Sequence, residues 1–155
     1  MNQMCTLVVV VALCYCAQAS AETEEEAVVQ VLQAYEAAWS QHDAHAVASF
    51  YYEPAMRVGP SGPVVRPTRV DQEAFFRGFL QSLVGRGYAR SAWEQLAVHL
   101  LDAATALASG VTVRSTADGN VLERVAVTYG LCKTTEGWKI FLSTTHAPAT
   151  VLHFR

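Results

Sequence analysis

The sequence predicts a small α+β domain in which helices lean against a curved antiparallel sheet and enclose one pocket. Three observations predict it. Between Glu24 and Gly62, an amphipathic helix ending at Trp39, a linker Ser40-Gln41-His42, a second helix opened by Asp43 and a short hairpin follow in close order. A third helical stretch follows Thr68. From Arg90 onward, four long segments of strand character alternate with turn signals. A chain of 155 residues is long enough for one real core and too short for two.

Each element has a local reason. Thr23 with Glu26 three residues on forms a capping box, and Val28, Val31, Leu32, Tyr35 and Trp39 repeat at helical spacing behind it. Asp43 caps a short second helix carrying Val47, Phe50 and Tyr51, and Pro54 is expected to stop it. Met56-Arg57-Val58 and Val64-Val65-Arg66 read as short strands around the turn-rich Gly59–Pro63. Thr68 with Asp71 repeats the capping box for a helix lined by Phe75, Phe76, Phe79, Leu80 and Leu83, and Gly85-Arg86-Gly87 ends it. The strands then run Arg90–Leu101, Thr105–Ser115, Val121–Thr134 and Trp138–His146, with Asp118-Gly119 and Glu136-Gly137 as hairpin turns. In the last strand, Trp138, Ile140, Leu142, Thr144 and His146 share one face by simple alternation, and Lys139, Phe141, Ser143 and Thr145 the other. Neither face is wholly polar, so helices are expected on one side and a second subunit on the other.

The first 21 residues carry no Asp, Glu, Lys or Arg. Leu7–Cys16 has the length of a signal-peptide core and falls short of the ~20 residues that span a bilayer. Residues 1–21 therefore read as a signal peptide and 22–155 as one exported domain, secreted or periplasmic, without stable membrane insertion; a retained anchor is the alternative. Cys5, Cys14 and Cys16 would leave with the leader, and Cys132 alone makes no intrachain bridge. The net charge of −3 reflects Glu22, Glu24, Glu25 and Glu26 crowding one helix start. Arg and Lys form no basic stripe interleaved with aromatics, which argues against a nucleic-acid partner.

Val31-Leu32-Gln33-Ala34-Tyr35 through Trp39, the Asp43–Phe50 helix, the Ala55–Gly62 hairpin and the closing Gly137-Trp138-Lys139-Ile140 with His146 together resemble the NTF2-like superfamily. The similarity lies with its SnoaL-like and ketosteroid-isomerase-like branch and covers the chain after the leader. The resemblance implies an NTF2-like cone, with three N-terminal helices packed on a curved antiparallel sheet around an apolar pocket. It also implies a homodimer through the sheet. Members include isomerases, cyclases, hydrolases and binders without activity, so membership leaves the chemistry open. Tyr35 matches the tyrosine that donates to an oxyanion in the isomerases. Their base, an Asp directly before Pro, is Gly59 before Pro60 here, and their second acidic donor falls near Thr128. Proton abstraction needs a base within reach of the carbon acid, so that activity is not expected.

Two readings follow for each candidate residue. Tyr35 is either a core tyrosine or a pocket donor. His146, on the Trp138 face at the end of the last strand, is either a rim acid/base or a capping histidine. Arg57 and Arg66 either hold an anionic ligand or pair with Glu53 or Glu123; a symmetric hairpin would group Arg66 with Met56, Val58 and Val64. Trp39, Trp93 and Tyr129 complete the expected pocket. Glu94, Asp102 and Glu123 are the strand-region acids. His42 and His45 bracket Asp43 but lack a fourth ligand, so no metal is expected, and no motif calls for a cofactor. The expected function is binding of a small, largely apolar molecule in the cone. Acid/base chemistry by His146 and Tyr35 would make it an enzyme of isomerase, cyclase or hydrolase type. The alternative is a non-enzymatic protein-interaction module using sheet or pocket.

Overall fold

The computed structural model describes residues 23–154; the expected leader lies outside them. Three helices, α1 (Glu24–Ser40), α2 (Ala44–Ser49) and α3 (Arg69–Gly85), accompany six strands: β1 (Tyr51–Gly59), β2 (Gly62–Arg66), β3 (Arg90–Leu100), β4 (Thr105–Ser115), β5 (Val121–Thr134) and β6 (Gly137–His146). The strands form one curved sheet in the order β2-β1-β6-β5-β4-β3. All neighbours are antiparallel except β1 and β6, which run parallel. This is the NTF2-like cone, its concave face covered by the helices.

Both capping boxes are present. The Thr23 and Thr68 side chains each accept from the backbone three residues on, while Glu26 and Asp71 reach back. They satisfy amide groups a helix start otherwise leaves bare. Val28, Leu32, Tyr35 and Trp39 of α1 pack with Phe76, Leu80 and Leu83 of α3 against Ala108, Tyr129, Leu131 and Ile140 of the sheet. Leu32 is wholly buried, an arrangement that contributes about 1.5–3 kcal/mol for such a side chain.

Three expectations are corrected. Pro54 does not stop α2, which ends at Ser49; Tyr51 already belongs to β1, and Pro54 lies inside that strand. It is tolerated because the ladder to β6 lapses between Tyr51 and Met56, and pairing with β2 begins only at Ala55, so no partner needs its missing N–H. In the hairpin, Ala55 opposes Arg66 and Arg57 opposes Val64. Arg66 therefore shares a face with Ala55, Arg57 and Val64, and not with Met56 or Val58.

The third correction concerns β6. Ile140 pairs with Leu131 but Leu142 with Gly130, so β6 carries one extra residue in this step. Such a bulge reverses the alternation beyond it. Ser143 and Thr145 turn inward beside their partners Tyr129 and Val127, and Thr144 and His146 turn outward. Phe141 is accommodated because Gly130 lacks a side chain; a Cβ there would lie 2.7 Å from its ring. On this outer face His146 Nε2 lies 2.9 Å from Thr128 Oγ1, and Nδ1 lies 3.0 Å from Thr150 Oγ1. The chain end continues across the sheet: Leu152 N–H donates to Ser109 Oγ at 3.1 Å, and Phe154 stacks on His99 at 5.5 Å. It covers part of the face on which a second subunit was expected.

Candidate functional site

Inside the cone, α1 and the strands bring together polar groups that an apolar core would not choose. Glu36 is only 7% exposed, one residue after Tyr35 on the inner side of α1, and accepts a hydrogen bond from Thr112 Oγ1 of β4. Burial holds its carboxyl above the ordinary range; the Thr112 bond and nearby Arg114 oppose that shift without reversing it. The Tyr35 and Tyr51 hydroxyls lie 3.0 Å apart, and the Tyr129 ring packs edge-on against Tyr35 at 5.8 Å. Burial comes first, then repulsion from neighbouring acidic groups (Tyr129 and Tyr51 for Tyr35, Tyr51 and Glu36 for Tyr129), and together they raise both pKa values well above the ordinary value. These hydroxyls stay neutral and able to donate.

Arg114, two positions beyond Thr112 on the same face of β4, closes one wall. Its Nη1 donates to Glu123 at 2.5 Å, and its guanidinium lies 5.3 Å from the Phe79 ring centre. Burial works to raise the Glu123 carboxyl, but bonds from Arg86 and Arg114 prevail and hold it below the ordinary value. The Arg114 Nε is buried with no acceptor among the described residues. Glu36, Arg114, the three tyrosines, Trp39 and Arg57 line one cavity of about 40 Å³. That holds a few waters and is far below the ~300 Å³ of an ordinary ligand pocket.

The expected site residues separate into groups. Tyr35, Trp39, Arg57 and Tyr129 do line the cavity. Trp93 lies behind it, with Nε1 donating to the Leu32 carbonyl at 3.2 Å and its ring against Tyr129. Arg66 sits outside, in a second cleft of about 240 Å³ between the β1–β2 hairpin and α3. His146 is not at the rim: the β6 bulge places it on the opposite face of the sheet, bonded to Thr128. Glu36, Tyr51, Thr112 and Arg114 were not anticipated. Glu36 had a visible signal, since a carboxylate four residues after Leu32 and three before Trp39 falls on the apolar side of the helix.

A family model described as NTF2-like protein (DUF6841) matches residues 23–148. The chain belongs to this NTF2-like family. Among solved structures, an NTF2-like protein with a cystatin-like fold from Novosphingobium aromaticivorans is 18% identical with a TM-score of 0.66, over 84% of this chain and 90% of that one. An NTF2-like protein of unknown function from Shewanella oneidensis MR-1 gives 17% and 0.65, over 79% and 98%. A protein from Streptomyces avermitilis, named a candidate dehydratase of the NTF2-like family, gives 16% and 0.62, over 81% and 96%. At these identities the NTF2-like likeness establishes the fold and leaves activity open. No curated protein matches the chain.

Proposed function

We propose that this NTF2-like domain binds a small hydrogen-bonding molecule inside its cone, with Glu36 as proton donor and Tyr35 and Tyr51 as donors to a ligand oxygen. One observation carries the reading. A buried carboxyl, Glu36, and Arg114, whose buried Nε has no acceptor among the described residues, line the same cavity beside three tyrosines. Buried polar groups are costly unless bonded, and perturbed ionisation clusters at functional sites. This lining moves the expected ligand from largely apolar to one with an apolar body and polar ends, such as a carbonyl or hydroxyl compound. If the domain is catalytic, Glu36 is the group that gives or takes a proton, its raised pKa extending the pH range of the acid form, and the tyrosine hydroxyls stabilise developing charge on oxygen. His146 has no part in it. Half-buried Phe75 and Phe79 are part of the cavity wall, and a ligand larger than a few waters has to displace side chains of that wall. The reading includes export, resting on the uncharged residues 1–21.

The cavity's small volume favours a second reading, a non-enzymatic interaction module that recruits a partner or a second copy through its sheet. Ligand-observed NMR with small carbonyl and hydroxyl compounds, and a fluorescent apolar probe, separates the two. The proposal expects saturable binding at one site per chain, weakened about tenfold or more by Glu36→Gln, a loss of roughly 1.4 kcal/mol. Absence of any saturable binder favours the interaction module. Equal binding by wild type and Glu36→Gln removes Glu36 from the site.

A further inference from the structure

We infer a separate anion site at the mouth of the cone, made by Arg57, Arg66 and Phe75, that takes a small carboxylate with an apolar body. The hairpin register creates it. With Ala55 opposite Arg66 and Arg57 opposite Val64, both arginines project from the same face of the β1–β2 ribbon. Their guanidinium carbons lie 5.5 Å and 3.7 Å from the centre of the same Phe75 ring on α3. Ring-face contacts of this kind hold guanidinium groups in place without using their N–H donors.

Neither arginine has a carboxylate within ion-pairing distance among the described residues, although Arg69, Arg77, Arg86, Arg114 and Arg124 all do. The partners the sequence offered are engaged elsewhere: Glu53 lies 3.5 Å from Arg69, and Glu123 is held by Arg86 and Arg114. Asp71, the carboxylate that acts on Arg66 from α3, is bonded to Thr68 in its capping box. Arg57 uses one nitrogen, donating to Thr145 Oγ1 at 3.3 Å. Two like charges over one ring repel, and an anion between them offsets that repulsion while accepting from both forks. The cleft of about 240 Å³ is walled by Val64, Pro60 and Phe75 as well as the arginines. Its size and apolar wall suit a compact aromatic or aliphatic acid better than a strongly hydrated inorganic anion.

Arg57 and Phe75 also border the interior cavity but Arg66 does not, so substitutions at Arg66 test this site apart from the interior. Titrations by calorimetry and arginine side-chain NMR use benzoate, benzamide and inorganic phosphate as probes. Benzoate is expected to bind saturably, one per chain, with a Kd in about the millimolar range. Benzamide binds at least about tenfold more weakly, Arg66→Gln loses about tenfold or more for benzoate, and Arg66→Lys falls between because it keeps charge but not the fork. Glu36→Gln leaves the benzoate-induced shifts of the Arg66 side chain unchanged. Equal affinity for benzoate and benzamide, an unaltered Arg66→Gln, or no saturation overturns the site. Phosphate binding more tightly than benzoate overturns the carboxylate assignment. Circular dichroism of both Arg66 variants shows whether the fold is intact, and the Arg66→Lys result stands even if Arg66→Gln fails to fold.

Discussion

Glu36→Gln is the perturbation most sensitive to the interior cluster. The carboxyl is 7% exposed, and burial is the largest influence on it, raising its pKa above the ordinary 4.5. A folded-state pKa above the unfolded one means that the stability it contributes is complete below about pH 4.5 and is lost as pH rises through the folded value. Gln keeps an acceptor for Thr112 but removes the charge that the interior disfavours. The variant should match wild type at pH 4 and become more stable as pH rises, the gap levelling off once wild-type Glu36 has ionised. Mutational costs for poorly compensated buried polar groups set its size at about 1–2 kcal/mol, or very roughly 4 °C in Tm per kcal/mol for a domain of this length. Paired urea or thermal melts from pH 4 to 8 measure it. A variant less stable than wild type at pH 8 would show that ionised Glu36 is a net stabiliser, held by Arg114, and would refute the argument from burial.

Tyr35→Phe removes one member of the buried hydroxyl pair and should cost about 1 kcal/mol by denaturant melt, with the aromatic packing retained. Gly110→Ala should destabilise by about 2 kcal/mol or more, because the new Cβ would lie 2.3 Å from the Gln95 carbonyl and 3.0 Å from the Trp93 ring; chemical denaturation checks it. Acidification should weaken the fold below about pH 4.5, because partners hold Glu24, Glu73 and Glu123 below their ordinary values and their contribution is lost on protonation. His146→Ala should leave binding to the interior unchanged in the NMR assay while loosening the chain end over the sheet, which faster amide exchange at Leu152 would report.

What the sequence made legible was governed by local rules. The capping residues Thr23 and Thr68, and the bounds of β4 and β5, follow from helix-start chemistry and turn residues that act within a few positions. The apolar stripe of α1 identified Tyr35 and Trp39 as inward-facing for the same reason. The inserted residue in β6 left no such trace. Phe141 and Leu142 fit an unbroken alternation as well as a bulged one, and only the pairing with Gly130 and Leu131 distinguishes them. Every residue beyond the bulge consequently changed face, which carried His146 out of the site and Ser143 and Thr145 into it. Pro54 misled in a similar way, since its tolerance in β1 depends on a gap in pairing with a strand some ninety residues away. Arg114 left less trace: Glu123 sits opposite it across the β4–β5 hairpin, but Phe79 and Glu36, which it approaches inside the cone, come from α3 and α1. The filling of the cone depends on how all those side chains meet, which no local pattern records.

The most direct test of the central claim is a high-resolution electron-density map of the protein crystallised near neutral pH. The account predicts Glu36 turned inward onto Thr112, and a bound molecule or ordered water accepting from the Arg114 Nε in the cavity walled by Tyr35, Tyr51 and Tyr129. Glu36 swung out to solvent, with that Nε bonded to a protein carbonyl and the tyrosine rings closed upon one another, would contradict it.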